Sequence, residues 1–276
     1  MSSTTVPAKS GESSTLIVPA RAARRLPISR ENIVRILAAI VFFGLWQFFG
    51  TILPRVIFAS PTKTLDALIT FATSGEMWEV WGETLGVMVI ALILSSFSGI
   101  TLGLLFGRFR VVDRFFEPVT TALFMTPRVA LLPLIALWLG YQDPAKILLV
   151  FLFSFFEIFF TVRNGVRTID SEFVEVSRSY CIPESVMLRQ VILPAAIPYV
   201  ITGLRLGLLH GMVGVVVAGF LLENNGIGGY IFNAGGSFHI PQLFASLLTV
   251  AAVGIAISGG IRLLERAVTP WKVEAA

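Results

Sequence analysis

Six apolar runs of membrane-spanning length dominate this chain. A helix rises about 1.5 Å per residue and needs about 20 apolar residues to cross about 30 Å of hydrocarbon. Backbone polar groups in lipid must find partners within their own segment, so these runs are predicted to be helices. We therefore expect an all-α polytopic membrane helical bundle of about six transmembrane helices, at Ile36–Leu53, Leu85–Phe106, Val119–Leu139, Ile147–Val162, Ala196–Leu222 and Leu243–Leu263.

The basic residues follow the topology of these spans. Of the 21 Lys and Arg residues, 16 lie on one predicted side and three on the other, which indicates that both termini are cytoplasmic. Residues 1–32 are expected to be a flexible cytoplasmic N-terminal tail and 33–276 the transmembrane domain. Nucleic acid is excluded as a partner, because the basic residues recur at every second connection instead of along one face. The three on the outer side are Arg55, Lys63 and Lys146.

The connection between the fourth and fifth spans, residues 168–194, is predicted to be a short helix-turn-helix on the cytoplasmic side. Asp170 and Ser171 are candidate N-caps of its first helix. Pro183 suits the first turn of a second helix, and Pro194 is expected to end that helix before the fifth span. Such a projection would transmit a push from a soluble partner into the bundle.

This connection resembles the cytoplasmic loop of binding-protein-dependent ATP-binding-cassette (ABC) importer permeases. The family pattern is Glu-Ala-Ala, three residues, Gly, nine residues and Ile-x-Leu-Pro. Its places are held here by Glu175, Val176, Ser177, Cys181, Val191, Leu193 and Pro194. The stretches Thr126–Gly140 and Gly203–Phe220 resemble the nitrate, sulfonate and taurine permease branch.

The resemblance implies a type I ABC importer permease fold in the bacterial plasma (inner) membrane. Its partners would be a second copy, a cytoplasmic ABC ATPase dimer and a periplasmic or lipid-anchored solute-binding protein, besides membrane lipid. The cargo would be a small anion such as a sulfonate, taurine or nitrate. The residues implied in coupling to the ATPase are Glu175, Val176, Ser177, Ser179, Tyr180, Cys181, Ile182, Pro183, Glu184 and Arg189.

No nucleotide, cofactor or metal site is expected on this chain. A phosphate-binding G-x-x-x-x-G-K-[ST] motif is absent, because none of the four lysines follows a glycine. ATP and Mg²⁺ would be held by the partner ATPase. The single cysteine and two histidines give no metal-ligand set.

Ionisable residues inside spans are costly and usually face the interior of a bundle. The candidates for the translocation path are Arg128, Glu157, Arg205 and His210. In one interpretation Glu157 and Arg205 form a structural ion pair, Arg128 caps a kink at Pro127, and His210 bonds a nearby carbonyl. In the other, Arg128 with His210 offers a cationic contact to a transported anion, because positive charge exceeds negative charge inside the spans.

Small and aromatic residues mark places of close packing. Gly203, Gly207, Gly211 and Gly214 would allow close helix contact, within the chain or at a dimer interface. Gly254, Gly259 and Gly260 suggest a second such place. The phenylalanines between Phe151 and Phe160 are expected to pack against lipid and other helices.

Two other classes of function compete with a permease subunit. A secondary transporter or channel would predict an internal repeat or paired broken helices, and no repeat is evident. An intramembrane enzyme would need a nucleophile and base in register. Ser237 and His239 are two residues apart, do not face each other on a helix and lie in an outer connection.

Overall fold

The computed structural model describes residues 30–169, 176–177, 179–222 and 225–268. They fall in two units, divided after Leu45. In the first unit, the amino-terminal part of helix α1 (Arg30–Ile52) exposes apolar side chains such as Ile40 and Phe42. Of the predicted tail, residues 1–29 lie outside the described residues and 30–32 belong to α1.

The second unit contains the end of α1 and the remaining described helices. They are α2 (Pro61–Thr73), α3 (Glu76–Arg108), α4 (Arg110–Met125), α5 (Leu132–Leu139), α6 (Asp143–Arg167), α7 (Glu184–Met187), α8 (Leu193–Leu221), α9 (Gly226–Gly236) and α10 (Ile240–Val268). A 3₁₀ turn, Arg128–Leu131, precedes α5, and a π-helical segment, Leu188–Ile192, joins α7 to α8.

Five helices among the described residues are long and apolar enough to cross a membrane. They are Asn32–Ile52, Glu76–Arg108, Asp143–Arg167, Glu184–Leu221 and Ile240–Leu263. The pair Arg110–Met125 and Arg128–Leu139 passes the same criteria as one broken span bent by 88°. The prediction of an all-helical membrane protein with about six spans is therefore confirmed.

The predicted third span, Val119–Leu139, is broken at Pro127, where one interpretation of the sequence placed a kink. Pro127 has no N–H to donate and disfavours helical geometry in the residue before it. Thr126 accordingly adopts an extended conformation, with φ −67° and ψ 126°. The chain turns there and restarts as the 3₁₀ turn that begins at Arg128.

The prediction that Pro194 ends the second helix of the connection is wrong. A proline inside a helix removes one hydrogen bond and crowds the carbonyl four residues earlier. Here the π-helical segment Leu188–Ile192 lies just before Pro194, and its wider turn accommodates the ring. The chain from Glu184 to Leu221 is consequently one long helical element.

Helix α6 is packed between α3 and α8. One face of α3 carries a small residue at every fourth position, and all five are buried: Ala91, Ser95, Gly99, Gly103 and Gly107. A methyl group on Gly103 would lie 2.8 Å from Cβ of Val162, and one on Gly107 would lie 2.7 Å from Cβ of Val166. The α3 and α6 backbones can approach this closely only because these positions lack side chains.

The glycines of α8 form the matching contact on the other side of α6. A methyl group on Gly207 would lie 2.6 Å from Cγ1 of Ile158, and one on Gly214 would lie 3.0 Å from Cβ of Phe153. The predicted close helix contact is confirmed, and it lies within the chain. Ile158 is fully buried and is approached from both sides, by Gly99 and by Gly207.

The aromatic cluster and the glycines of the sixth span have different surroundings. Phe151 stacks on Phe155, and Phe155 on Phe159, while Phe159 is 1% exposed. Phe159 also contacts Phe106 of α3 at 5.3 Å between ring centroids, so this cluster serves interhelical packing, as predicted. At Gly254, Gly259 and Gly260, by contrast, a methyl group would meet nothing within 4 Å, so the close contact expected there is not made within the described part of the chain.

Candidate coupling site and translocation path

The connection between α6 and α7 turns at Cys181. Val176, Ser177 and Ser179 have helical backbone, and Cys181 follows with a positive φ of 53°. The N–H of Ile182 donates to the carbonyl of Ser177 at 3.1 Å. This six-to-one hydrogen bond and left-handed residue define a Schellman C-cap, whose left-handed position is usually glycine. Glycine at this place of the family pattern is therefore explained by the left-handed backbone conformation that the place requires.

We call residues 176–187 the coupling hairpin. The described part of its base is apolar: Met187 is 1% exposed and packs with Val166 and Ile192, and Ile182 packs against the same cluster. At its tip the side chains of Val176 and Tyr180 are exposed, and so is Cys181. Glu175 and the predicted N-caps Asp170 and Ser171 lie outside the described residues.

An ion pair joins the coupling hairpin to the end of α3. Nη2 of Arg108, the last residue of α3, donates to Oε1 of Glu184, the first residue of α7. The Arg108 side chain is largely buried and that of Glu184 is half exposed. Sequence reasoning assigned Glu184 to the ATPase contact and did not find Arg108, because the two residues are 76 positions apart.

A second ion cluster fixes α4 against the end of α6. Asp113 is fully buried, and its carboxylate accepts hydrogen bonds from Nε and Nη2 of Arg163, the latter at 2.9 Å. Arg167 contacts the same carboxylate, and Glu117 lies 3.4 Å from Nη2 of Arg163. A buried charge is tolerated only when it is paired and hydrogen-bonded, as Asp113 is here.

From this cluster onward, successive parts of α4 and α5 contact successively earlier residues of α6. Phe124 packs on Phe160 at 4.7 Å between ring centroids, and Leu132 and Ile135 share an apolar cluster with Leu149. The break between α4 and α5 therefore lies beside the middle of α6. Irregular backbone at membrane depth is tolerated only where it is buried in protein or lines a water-filled cavity.

Arg128 lies at this break and pairs with Glu157. Nη2 of Arg128 is 3.3 Å from Oε1 of Glu157, and both side chains are largely buried. The guanidinium also lies over the rings of Phe124 and Phe153, 5.2 Å and 5.5 Å from their centroids. Its buried Nε–H has no acceptor among the described residues. One donor of this cation thus remains available for a further acceptor.

The predicted pair between Glu157 and Arg205 is not formed. Arg205 instead contacts Glu265 of α10, at 3.5 Å between Nη2 and Oε2. Glu265 follows the apolar run of the last span, so sequence reasoning did not count it.

His210 belongs to the same network as Arg128. Its Nδ1 lies 3.0 Å from the carbonyl of Leu206, which makes Nδ1 the donor and confirms the predicted bond to a nearby carbonyl. Its Nε2 lies 3.8 Å from Oε1 of Glu157. The structure therefore brings together three of the four path candidates, Arg128, Glu157 and His210.

At the opposite end of the bundle, α3 caps the start of α9. Oε2 of Glu83 accepts from the N–H of Gly226 at 3.0 Å, and Oγ1 of Thr84 accepts from the N–H of Ile227 at 2.8 Å. These residues border a cavity of about 430 Å³ that also reaches Lys146. The Lys146 ammonium is buried and lies 3.3 Å from the carboxylate of Asp143.

The contact of α9 with its neighbours depends on small residues and on one half-buried tyrosine. A methyl group on Gly219 of α8 would lie 2.8 Å from Cα of Gly228, so the two backbones touch. Tyr230 stacks on Phe71 at 4.4 Å between centroids. Burial, followed by the nearby charge of Glu76, raises the pKa of Tyr230, so its hydroxyl stays neutral.

Fold and sites together define a multi-pass helical membrane protein with a rigid surface hairpin and a broken span. A family model for the binding-protein-dependent transport system inner membrane component matches residues 99–270. The chain therefore belongs to this family. It is the membrane-spanning permease subunit of an ABC importer, a transport subunit and not an enzyme.

Individual proteins with similar sequences and folds agree with this assignment. The chain is 31% identical over 230 residues to SsuC of Escherichia coli (strain K12), described as an aliphatic sulfonates transport permease, covering 83% of this chain and 88% of that protein. It is 27% identical over 257 residues to the taurine transport system permease TauC of the same organism, covering 91% and 94%. An inward-facing MetNI methionine ABC transporter chain matches with a TM-score of 0.62 at 19% identity, covering 68% and 93%.

The family implies an ATPase partner, a binding-protein partner, a dimeric arrangement and a bacterial inner-membrane location.

Proposed function

We propose that two copies of this chain form the translocation path of an importer, with both termini in the cytoplasm. In this arrangement residues 1–32 are a cytoplasmic tail, and one ATPase subunit binds each coupling hairpin. A periplasmic or lipid-anchored binding protein delivers the solute at the opposite end. ATP and Mg²⁺ are bound by the ATPase, which drives alternating access.

The geometry of the coupling hairpin supports the ATPase contact. Its tip presents Val176, Tyr180 and Cys181 to solvent, while Met187 anchors its base. The contact would also include Ser179, Arg189 on the π-helical segment, and Glu175, which lies outside the described residues. Because α7 continues into the spanning helix α8, the hairpin is covalently joined to the membrane bundle.

For the cargo we propose a small anion, with a sulfonate such as taurine first and nitrate as a further candidate. The observation that carries this proposal is Arg128, a largely buried cation at a helix break with one unused N–H donor. A buried donor without an acceptor is unfavourable, and an oxyanion would supply the missing acceptor. Glu157 and His210, which contact each other at Arg128, would hold the guanidinium between transport events.

Uptake measurements on Arg128 variants test this proposal. Arg128→Gln is expected to lower uptake of taurine or ethanesulfonate roughly tenfold, since a hydrogen bond to a charged group is worth about 1.5–3 kcal/mol. Arg128→Lys keeps the charge but loses the planar fork, so we expect intermediate uptake. The assay uses proteoliposomes that contain the permease, its ATPase and the loaded binding protein.

Arg205→Gln is the matched control, because Arg205 is also a cation inside a span but pairs with Glu265. The neutral solute formylaminopyrimidine is the second comparison, since the formylaminopyrimidine transport permease ThiX of Halalkalibacterium halodurans is 28% identical to this chain over 189 residues. Unchanged maximal sulfonate uptake in both Arg128 variants would refute the anion contact. Uptake of formylaminopyrimidine alone would move the cargo to neutral heterocycles.

A further inference from the structure

Besides the apolar packing of Met187 and Ile182 at its base, the coupling hairpin has two attachments to spanning helices. One attachment is covalent, through the π-helical segment Leu188–Ile192 into α8. The other is the ion pair between Arg108 of α3 and Glu184 of α7. These two attachments lie on different spanning helices, so the hairpin bridges them.

The covalent attachment is the more deformable of the two. The π-helical segment interrupts regular α-helical hydrogen bonding just before Pro194, where bends in helices commonly occur. Apolar packing at Met187 is non-directional, so a hairpin held only by this segment and that packing would tilt when its tip is pushed.

The ion pair prevents this tilting by fixing the start of α7 to the end of α3. Helix α3 is in turn locked to α6 by Gly99, Gly103 and Gly107, while α6 is locked to α8 by glycines on its other face. A push on a doubly attached hairpin therefore moves α3, α6 and α8 as one body.

We propose that Arg108 and Glu184 are positioning residues that couple the hairpin to the transmembrane bundle. This inference rests on the proposed function, since it presumes that an ATPase pushes the hairpin. It changes the role expected for Glu184: its carboxylate acts within the chain, on Arg108, and not on the ATPase. The burial of the Arg108 side chain and its place at the last residue of α3 favour this role.

Charge reversal tests the pair in the complete importer. Arg108→Glu and Glu184→Arg are each expected to lower solute transported per ATP hydrolysed about fivefold or more, the lower range of coupling between linked sites. The double variant Arg108→Glu/Glu184→Arg restores the attraction and is expected to return the ratio to within about twofold of the unmodified importer. Co-purification of the ATPase with each variant shows that assembly is retained.

Arg110→Gln is the matched control, because Arg110 lies two residues after Arg108, is exposed and makes no ion pair among the described residues. It should leave the ratio unchanged, and Arg108→Lys should lie close to the unmodified importer. Single variants with normal coupling, or a double variant no better than the singles, would overturn the proposal. Absence of ATP-driven uptake by the unmodified complex, with taurine as probe, would instead overturn the proposed function.

Discussion

Cys181 holds a backbone conformation that disfavours every side chain. Its φ of 53° places it in the left-handed region, where a Cβ atom crowds the following carbonyl. Replacing it by glycine should raise the stability of the folded chain by about 1 kcal/mol, since glycine enters this region without that penalty. Thermal unfolding of the purified permease in detergent measures the change as a higher midpoint.

Cys181→Ala is the control for this prediction. Alanine removes the thiol but retains Cβ, so its unfolding midpoint should stay near that of the unmodified chain. If alanine stabilised the chain as much as glycine, the thiol would be responsible and the conformational argument would fail. Transport by Cys181→Gly should be preserved, because the six-to-one hydrogen bond from Ile182 to Ser177 does not involve the Cys181 side chain.

Pairings between single residues were the least predictable feature of this molecule. Arg128, Glu157 and His210 were found from the sequence, because a charge within an apolar run stands out. Their partners were not, since Glu157 and Arg205 are at similar depth but lie on helices whose rotation the sequence does not define. Glu265 and Asp113 were missed because each lies among other charged residues at the end of a span.

At the scale of the helices, the α3–α6 contact is predicted to tolerate no added side chain at Gly103. Gly103→Ala would place a methyl group 2.8 Å from Cβ of Val162, an atom next to the backbone that cannot rotate away. The helices must then separate, which costs about 1–3 kcal/mol. The expected result is a lower thermal unfolding midpoint of the purified chain.

Gly82 provides the comparison on the same helix. A methyl group there meets nothing within 4 Å, so Gly82→Ala should leave the midpoint unchanged or raise it through the better helix propensity of alanine. Equal effects of Gly82→Ala and Gly103→Ala would contradict interlocked packing.

The spans were predicted where apolar length alone determines a helix. The course of the backbone at two prolines was not. Pro127 and Pro194 give the same local signal, yet one breaks its span and the other is absorbed by a π-helical turn. The difference arises from packing: Arg128 at the break is held by Glu157, whereas the chain before Pro194 is held by Met187 and Ile192 in an apolar cluster. Tertiary contacts of this kind cannot be read from one segment.

For the whole molecule, the sequence predicts a membrane protein. Spanning length and charge asymmetry are each summed over many residues, so one misassigned residue changes neither result. The outward faces of the spans carry exposed apolar residues such as Ile93, Phe97 and Ile255. Such faces are stable in lipid or against a second copy. The proposed function requires that the coupling hairpin face the cytoplasm. Labelling of Cys181 tests this orientation.

Cys181 is the single cysteine of the chain, and it is exposed at the tip of the coupling hairpin. A membrane-impermeant maleimide should therefore label the unmodified permease in inverted membrane vesicles and not in intact spheroplasts. Bound ATPase should protect the thiol, and removal of the ATPase should restore labelling, because the tip would be covered in the assembly. Mass spectrometry of the labelled chain quantifies both effects.

Ser237→Cys in a Cys181→Ala background is the opposite control, since Ser237 is exposed and follows α9 at the other end of the bundle. It should be labelled in spheroplasts, and its labelling should be the same with and without bound ATPase. Labelling of Cys181 from outside the cell would reverse the proposed topology, and labelling unaffected by the ATPase would place the contact elsewhere. Either result would remove the hairpin from the coupling mechanism, since force can enter the bundle there only if the ATPase covers its tip.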